Sequence, residues 1–467
     1  DSATSVGPAY RVSSLWLYLA GSALTLSGLL AFLLALARMP MFKWIVTDVM
    51  FFRRALIVHV NLALLVWVFA FIASLFALIP GRGQGNRSAP FLSAVGVLIL
   101  SVVGLSVHSV PVLSNYVPVV DHPLFIVGVA LFAAGILAAL FDSRLFPLSK
   151  TNAALASYSV VPKGAAGFLR SSAIAFIVAV QITIFAFVVM PAGVSTESYF
   201  EMVFWGGGHA MIFAAEAGKL AAWIALVNDR TGKDPFATRK NWPLWLLSVI
   251  LILPLLVSLP SVLSLTPAEN AYREHFTNLM RWGIFPVTTI VGLFLIYRMS
   301  RVKKALFEFS PVSMTFLFSV LLTAAGFIFG ALIREPNTMV PGHYHASIGA
   351  VTLAFMGMTP VLFKRFELKP FRYPKLLSWQ PVLFGGGQFL FALGFAIAGA
   401  YGMGRKLYGS EQQVRGMADW IGLTLVGVGG LIAVIGGVIY MAYFTHCLTG
   451  SFRSIGASGR EAKENNL

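Results

Sequence analysis

Two histidines in the stretch Pro341-Gly342-His343-Tyr344-His345-Ala346-Ser347 open an apolar run, Ile348 to Phe363, that is long enough with its flanks to cross a bilayer. A neutral imidazole is costly to bury at that depth, so each ring needs a partner. Residues i and i+2 of an α-helix lie about 200° apart, since each residue turns by about 100°. The two rings therefore point to opposite faces and serve different partners, and two flat cofactors flanking one helix suit that geometry better than a single ion. His59, in His59-Val60-Asn61-Leu62, is a third candidate ligand, because two imidazoles on one haem iron make a low-spin electron-transfer centre. Arg53 and Arg54 stand just upstream, where guanidinium groups either meet haem propionates or anchor the helix at the interface. His209 closes Trp205-Gly206-Gly207-Gly208-His209, whose glycines serve close helix packing or leave room for a macrocycle. Glu216 and Lys219 follow at a spacing that lets them pair. Glu216, seven residues past His209, shares its face and is a candidate proton relay toward it.

The elements that must position these residues are membrane helices. Of 467 residues, 58% are hydrophobic and only 11% charged, far too few for the surface of a soluble fold of this length. The expected class is all-α, a polytopic membrane protein with twelve transmembrane helices in a single domain, 1–467. Runs of about 20 apolar residues fall at 13–38, 53–79, 90–109, 123–142, 168–191, 198–227, 242–265, 277–298, 311–333, 343–363, 378–402 and 417–445. The first run reads as an anchor and not as a signal peptide. Twelve spans put both termini on one side. The loops of that side concentrate base, among them Arg82, Arg87, Arg144, Lys150, Lys163, Arg230, Lys233, Arg239, Lys240, Lys303, Lys304 and Lys364, while the opposite loops carry Asp121, Glu197, Glu201, Glu269 and Glu274. The bias makes the termini cytoplasmic and places His59, His209, His343 and His345 at one depth, in the outer halves of helices two, six and ten. The net charge of +16 is spread over loops and forms no patch for nucleic acid. The single cysteine, Cys447, excludes an intrachain disulfide, a Cys-x-x-Cys-His haem attachment and a two-thiolate copper centre, so any haem is held non-covalently.

A histidine on helix two before Asn-Leu, Trp-Gly-Gly-Gly-His on helix six and His-Tyr-His opening helix ten together resemble the catalytic subunit of the haem–copper oxidase superfamily, nearest its C-type oxidase and nitric oxide reductase branch. Asn115-Tyr116-Val117-Pro118 with Asp121-His122-Pro123 adds to the likeness, which covers nearly the whole chain. The resemblance implies two b-type haems: His59 and His345 on a low-spin haem, His343 proximal to a high-spin haem. It also implies a second metal, copper or non-haem iron, whose first ligand is His209.

The chain departs from the family where that metal would sit. The family carries two adjacent histidines on helix seven, and here the region reads Val257-Ser258-Leu259-Pro260-Ser261-Val262-Leu263. Phe213 stands four residues past His209, where the family's oxidases have an active-site tyrosine and its nitric oxide reductases a glutamate. One imidazole is a poor holder for a metal that ordinarily takes three or more protein ligands; His275 is the one substitute in reach, and it reads better as an interfacial histidine. The expectation is a di-haem respiratory subunit whose second-metal site is lost, acting in electron transfer or diatomic-gas binding within a complex. Its electrons would come from a periplasmic cytochrome c, a cupredoxin-type protein or quinol, in the inner membrane of a bacterium or archaeon. An active reductase of oxygen or nitric oxide, and a twelve-helix transporter, are the alternatives.

Overall fold

In hydrocarbon every backbone N–H and C=O must be satisfied within its own segment, so long apolar runs become helices. The computed structural model describes residues 8–38, 44–80, 86–146, 161–232, 242–302, 305–405 and 414–464. Of the basic loop residues named above, Arg82, Lys150, Lys233, Arg239, Lys240, Lys303 and Lys304 lie outside them. Among the described residues, twelve helices are long and apolar enough to span a membrane: α1 (Tyr10–Ala37), α2 (Val49–Phe76), α3 (Ser88–Leu105), α4 (Pro123–Leu140), α5 (Lys163–Val189), α6 (Thr196–Thr231), α7 (Trp245–Leu263), α8 (Asn270–Ser300), α9 (Pro311–Leu332), α10 (Met339–Arg365), α11 (Pro374–Ala400) and α12 (Met417–Leu448). The protein is an all-α integral membrane protein. Between α3 and α4, β1 (Val110–Val112) and β2 (Val119–Asp121) form a two-stranded antiparallel ribbon.

Local chemistry sets the helix ends. The Asp48 carboxylate accepts from the Met50 N–H at 2.8 Å before α2. His122 accepts from Leu124 N–H through Nδ1 at 3.2 Å and starts α4 ahead of Pro123. Gly232 closes α6 in the left-handed region, at φ 67°.

Small residues let the helices approach. A Cβ on Gly96 of α3 would run into the Gly128 carbonyl of α4, and one on Gly394 of α11 into the Gly422 carbonyl of α12. The most enclosed helices are α2, α6 and α10, the three that carry the histidines. Phe71 of α2 stacks on Phe355 of α10 at 4.7 Å, and Gly218 of α6 leaves the notch into which Ile72 and Phe355 fit. Two π-helical turns interrupt this framework, Asn61–Val66 in α2 and Met280–Ile284 in α8. Such turns shift the face a helix presents and recur at functional sites. Both border the cavity described next.

Candidate functional site

A cavity of about 2180 Å³ lies around one end of α10. Pockets for one drug-sized ligand hold about 300–1,000 Å³, so this space is sized for more than one. His59, His209, His343, His345 and Glu216 all line it, with apolar walls from α1, α9, α11 and α12.

The backbone around each histidine fixes which nitrogen bears the proton. His59 Nδ1 lies 2.9 Å from the Ser27 carbonyl of α1 and 2.9 Å from the Ser27 hydroxyl. A carbonyl only accepts, so Nδ1 carries the hydrogen and Nε2 keeps the lone pair of a neutral ring. His343 is held alike, its Nδ1 donating to the Gly326 carbonyl of α9 at 2.7 Å. Gly330, one turn further along α9, sits against the same ring, where a Cβ would come within 2.7 Å of Nδ1. His345 lies on the other side of α10, between Phe391 (edge-on, 4.7 Å) and Phe395 (stacked, 5.7 Å) of α11. The His-Tyr-His motif thus directs one ring toward α9 and the next toward α11.

His209 is engaged at both nitrogens. Nδ1 donates to the Trp205 carbonyl at 2.7 Å, and Nε2 is 2.9 Å from the Tyr116 hydroxyl, which must therefore be the donor. The three glycines before His209 each receive a different neighbour: Tyr272 and Phe276 of α8 at Gly206, Thr183 of α5 at Gly207 and the Tyr116 ring at Gly208. Of the two roles open to them in the sequence, they serve packing. Burial and the nearby Glu201 charge push the Tyr116 phenol above its ordinary pKa, so it stays a neutral donor.

Glu216 and Lys219 pair at 2.9 Å inside the bundle. Thr288 of α8 donates to the same carboxylate oxygen at 2.5 Å, and Lys219 donates to Thr323 of α9 at 2.9 Å while lying 4.6 Å from the Trp223 ring. One carboxylate oxygen, Oε1, thus takes both the cation and the hydroxyl while the residue borders the cavity.

Arg53 and Arg54 do not line the cavity. Arg54 is buried and faces Asp48 at 3.5 Å. They precede His59 by six and five residues, turns of about 240° and 140°, so neither shares its face. The cavity's arginines are Arg273, Arg281, Arg334 and Arg405. His275 is also off the cavity, edge-on to Phe276, with Nε2 buried and without a hydrogen-bond partner. Among the described residues no group of three or more His, Cys, Asp or Glu side chains is arranged to hold a metal ion. Sequence reasoning missed Ser27 as the anchor of His59 and Tyr116 as the partner of His209. Neither bears a local signal, since the partners are 32 and 93 residues apart.

The twelve-helix fold has a counterpart among solved structures. A heme-copper terminal oxidase dimer solved by cryo-EM superposes with a TM-score of 0.67, covering 94% of this chain and 84% of that one at 16% identity. No family model matches the chain. Among curated proteins it is similar to an uncharacterized protein of Rickettsia prowazekii (strain Madrid E), 26% identical over 92% of this chain and 94% of the relative. An uncharacterized protein of Aquifex aeolicus (strain VF5) is 26% identical over 79% and 89%.

Proposed function

We propose that this protein is the haem-carrying respiratory subunit of a membrane complex, with two haems on either side of α10. The single observation that carries the reading is the set of four imidazoles on one large apolar cavity, three of them (His59, His209 and His343) locked by a backbone carbonyl at Nδ1. That lock is how metal-binding histidines are oriented and made better ligands. His59 and His345 would hold one haem as a bis-imidazole pair, and His343 the other. The donor set fits: imidazole nitrogens for iron, aromatic and aliphatic walls for the macrocycle, and arginines at the cavity for its carboxylates. Bound haem supplies one-electron redox chemistry and, at a five-coordinate iron, a position for a diatomic gas.

The chain's own residues do the rest. Ser27 and Gly326 set the imidazole tautomers. Phe391 and Phe395 hold the His345 ring and exclude water. Lys219 holds the Glu216 side chain in place, so Glu216 serves as a fixed partner at the cavity instead of a free proton carrier. The second-metal position beside His209 is lost in this reading, because aromatic rings and a phenol surround that imidazole. The subunit then transfers electrons or binds a diatomic gas, with its histidine end toward the periplasm. Electrons come from a cytochrome c, a cupredoxin-type protein or quinol.

The test is the reduced-minus-oxidised spectrum with a metal count. Purified protein is expected to hold about two irons per chain as haem. His59→Ala and His345→Ala lose the low-spin bands, and His343→Ala loses the carbon monoxide-shifted bands. A low-spin spectrum unchanged in His59→Ala would refute the ligand assignment. One equivalent of copper or non-haem iron would instead favour an active reductase.

A further inference from the structure

Tyr116 is one of two non-glycine residues with positive φ among the described residues, at 61°. The left-handed region is unfavourable for a bulky side chain, and such outliers persist only where their surroundings over-determine them. Here they do. The preceding residue, Asn115, donates its backbone N–H to Glu201 Oε2 of α6 at 2.8 Å and its side-chain amide to Glu201 Oε1. Its side-chain oxygen accepts from Arg405 Nη1 at 3.1 Å. Asn61 of α2 ties the same hairpin down through the Pro118 carbonyl, at 2.7 Å. Gly208 supplies the notch for the ring, since any Cβ there would strike it. Filling space would need none of this. A clamp, a strained backbone and a glycine notch all converge to set one hydroxyl on His209 Nε2.

We propose that Tyr116 caps His209, closing with a phenol proton the nitrogen that would otherwise ligate a second metal. Because Nδ1 is already committed to Trp205, Nε2 is the only remaining lone pair of that ring, and the Tyr116 O–H occupies it. The loop between α3 and α4 thereby decides that this cavity offers a hydrogen-bonded phenol–imidazole pair where the fold's oxidases carry a metal. The inference deepens the loss of the second metal proposed above, yet its test does not depend on haem.

The probe is Cu2+ added to purified full-length protein and followed by electron paramagnetic resonance. The signal of interest is the copper that disappears when His209→Ala is introduced. Wild type is expected to bind such copper only weakly, well short of one equivalent. Tyr116→Phe keeps the ring in its notch and removes only the hydroxyl, so His209-dependent copper should bind about tenfold more tightly than in wild type, the worth of one hydrogen bond. Glu201→Gln loosens the clamp and should fall between the two. If Tyr116 merely packs, Tyr116→Phe will match wild type, and the proposal is overturned. Stoichiometric His209-dependent copper in wild type overturns it as well, together with the loss of the second metal. A preparation without haem, but with the expected copper pattern, leaves this inference standing and refutes the di-haem reading alone.

Discussion

At the scale of the residue, what distinguishes this site is how little freedom each imidazole has. His343 illustrates it: one nitrogen is tied to Gly326, and the ring rests on a glycine that leaves no slack. Gly330→Ala would place a methyl group 2.7 Å from Nδ1 and 2.9 Å from Cε1, inside contact distance. Overpacking of this kind costs about 1–3 kcal/mol and moves side chains off their rotamers. The variant should therefore unfold at lower temperature and, on the di-haem reading, lose the carbon monoxide-binding haem while keeping the low-spin one. Spectra of the reduced protein with and without carbon monoxide check this. Equal loss of both haems would mean that the damage is global.

At the scale of the element, α6, α8 and α9 are joined by a polar contact that hydrophobic packing would not require. Glu216 and Lys219 are enclosed together with Thr288 and Thr323. Removing one partner of a buried pair leaves an uncompensated charge and costs about 3–5 kcal/mol, whereas replacing both is often near neutral. Lys219→Met should thus lower the unfolding midpoint more than the double variant Glu216→Gln/Lys219→Met, measured by heat denaturation in detergent. Equal losses would mean the pair is not coupled. This scale was the most legible in the sequence. Length and hydropathy alone placed all twelve helices, because a bilayer admits few alternatives. One boundary error is instructive: α8 was expected from 277 and begins at Asn270, since 270–276 is rich in polar residues and falls outside the apolar run. The histidines stood out because an imidazole inside an apolar run is rare. The ring that caps His209 could not be read, because it arrives on a strained hairpin whose conformation no local pattern announces. Arg53 and Arg54 stand six and five residues before His59, and nearness in sequence does not put residues on the same helix face.

At the scale of the whole molecule, the bundle's packed centre, where Phe71, Ile72 and Phe355 meet, adjoins a large space. The three most enclosed helices converge on a cavity of about 2180 Å³. Protein interiors are otherwise close-packed, and lining atoms that face a void lose their contacts outright. If two haems fill this space, their removal should leave α1, α9, α11 and α12 supported mainly by helix–helix contacts at the far end of the bundle. A ligand that binds only the folded state stabilises it in proportion to ln(1 + [L]/Kd), about 4 kcal/mol at a thousandfold excess over Kd. Haem-depleted protein should therefore unfold at a clearly lower temperature, and adding back haem should raise the midpoint until about two haems are bound per chain. His59→Ala and His343→Ala should each forfeit part of that gain, and the double variant should be insensitive to added haem. The two sites lie on opposite sides of one helix, so filling the first orders α10 for the second, and the two increments need not be equal. Heat denaturation followed against haem content measures all of this. A midpoint that ignores haem content would mean that something else fills the cavity.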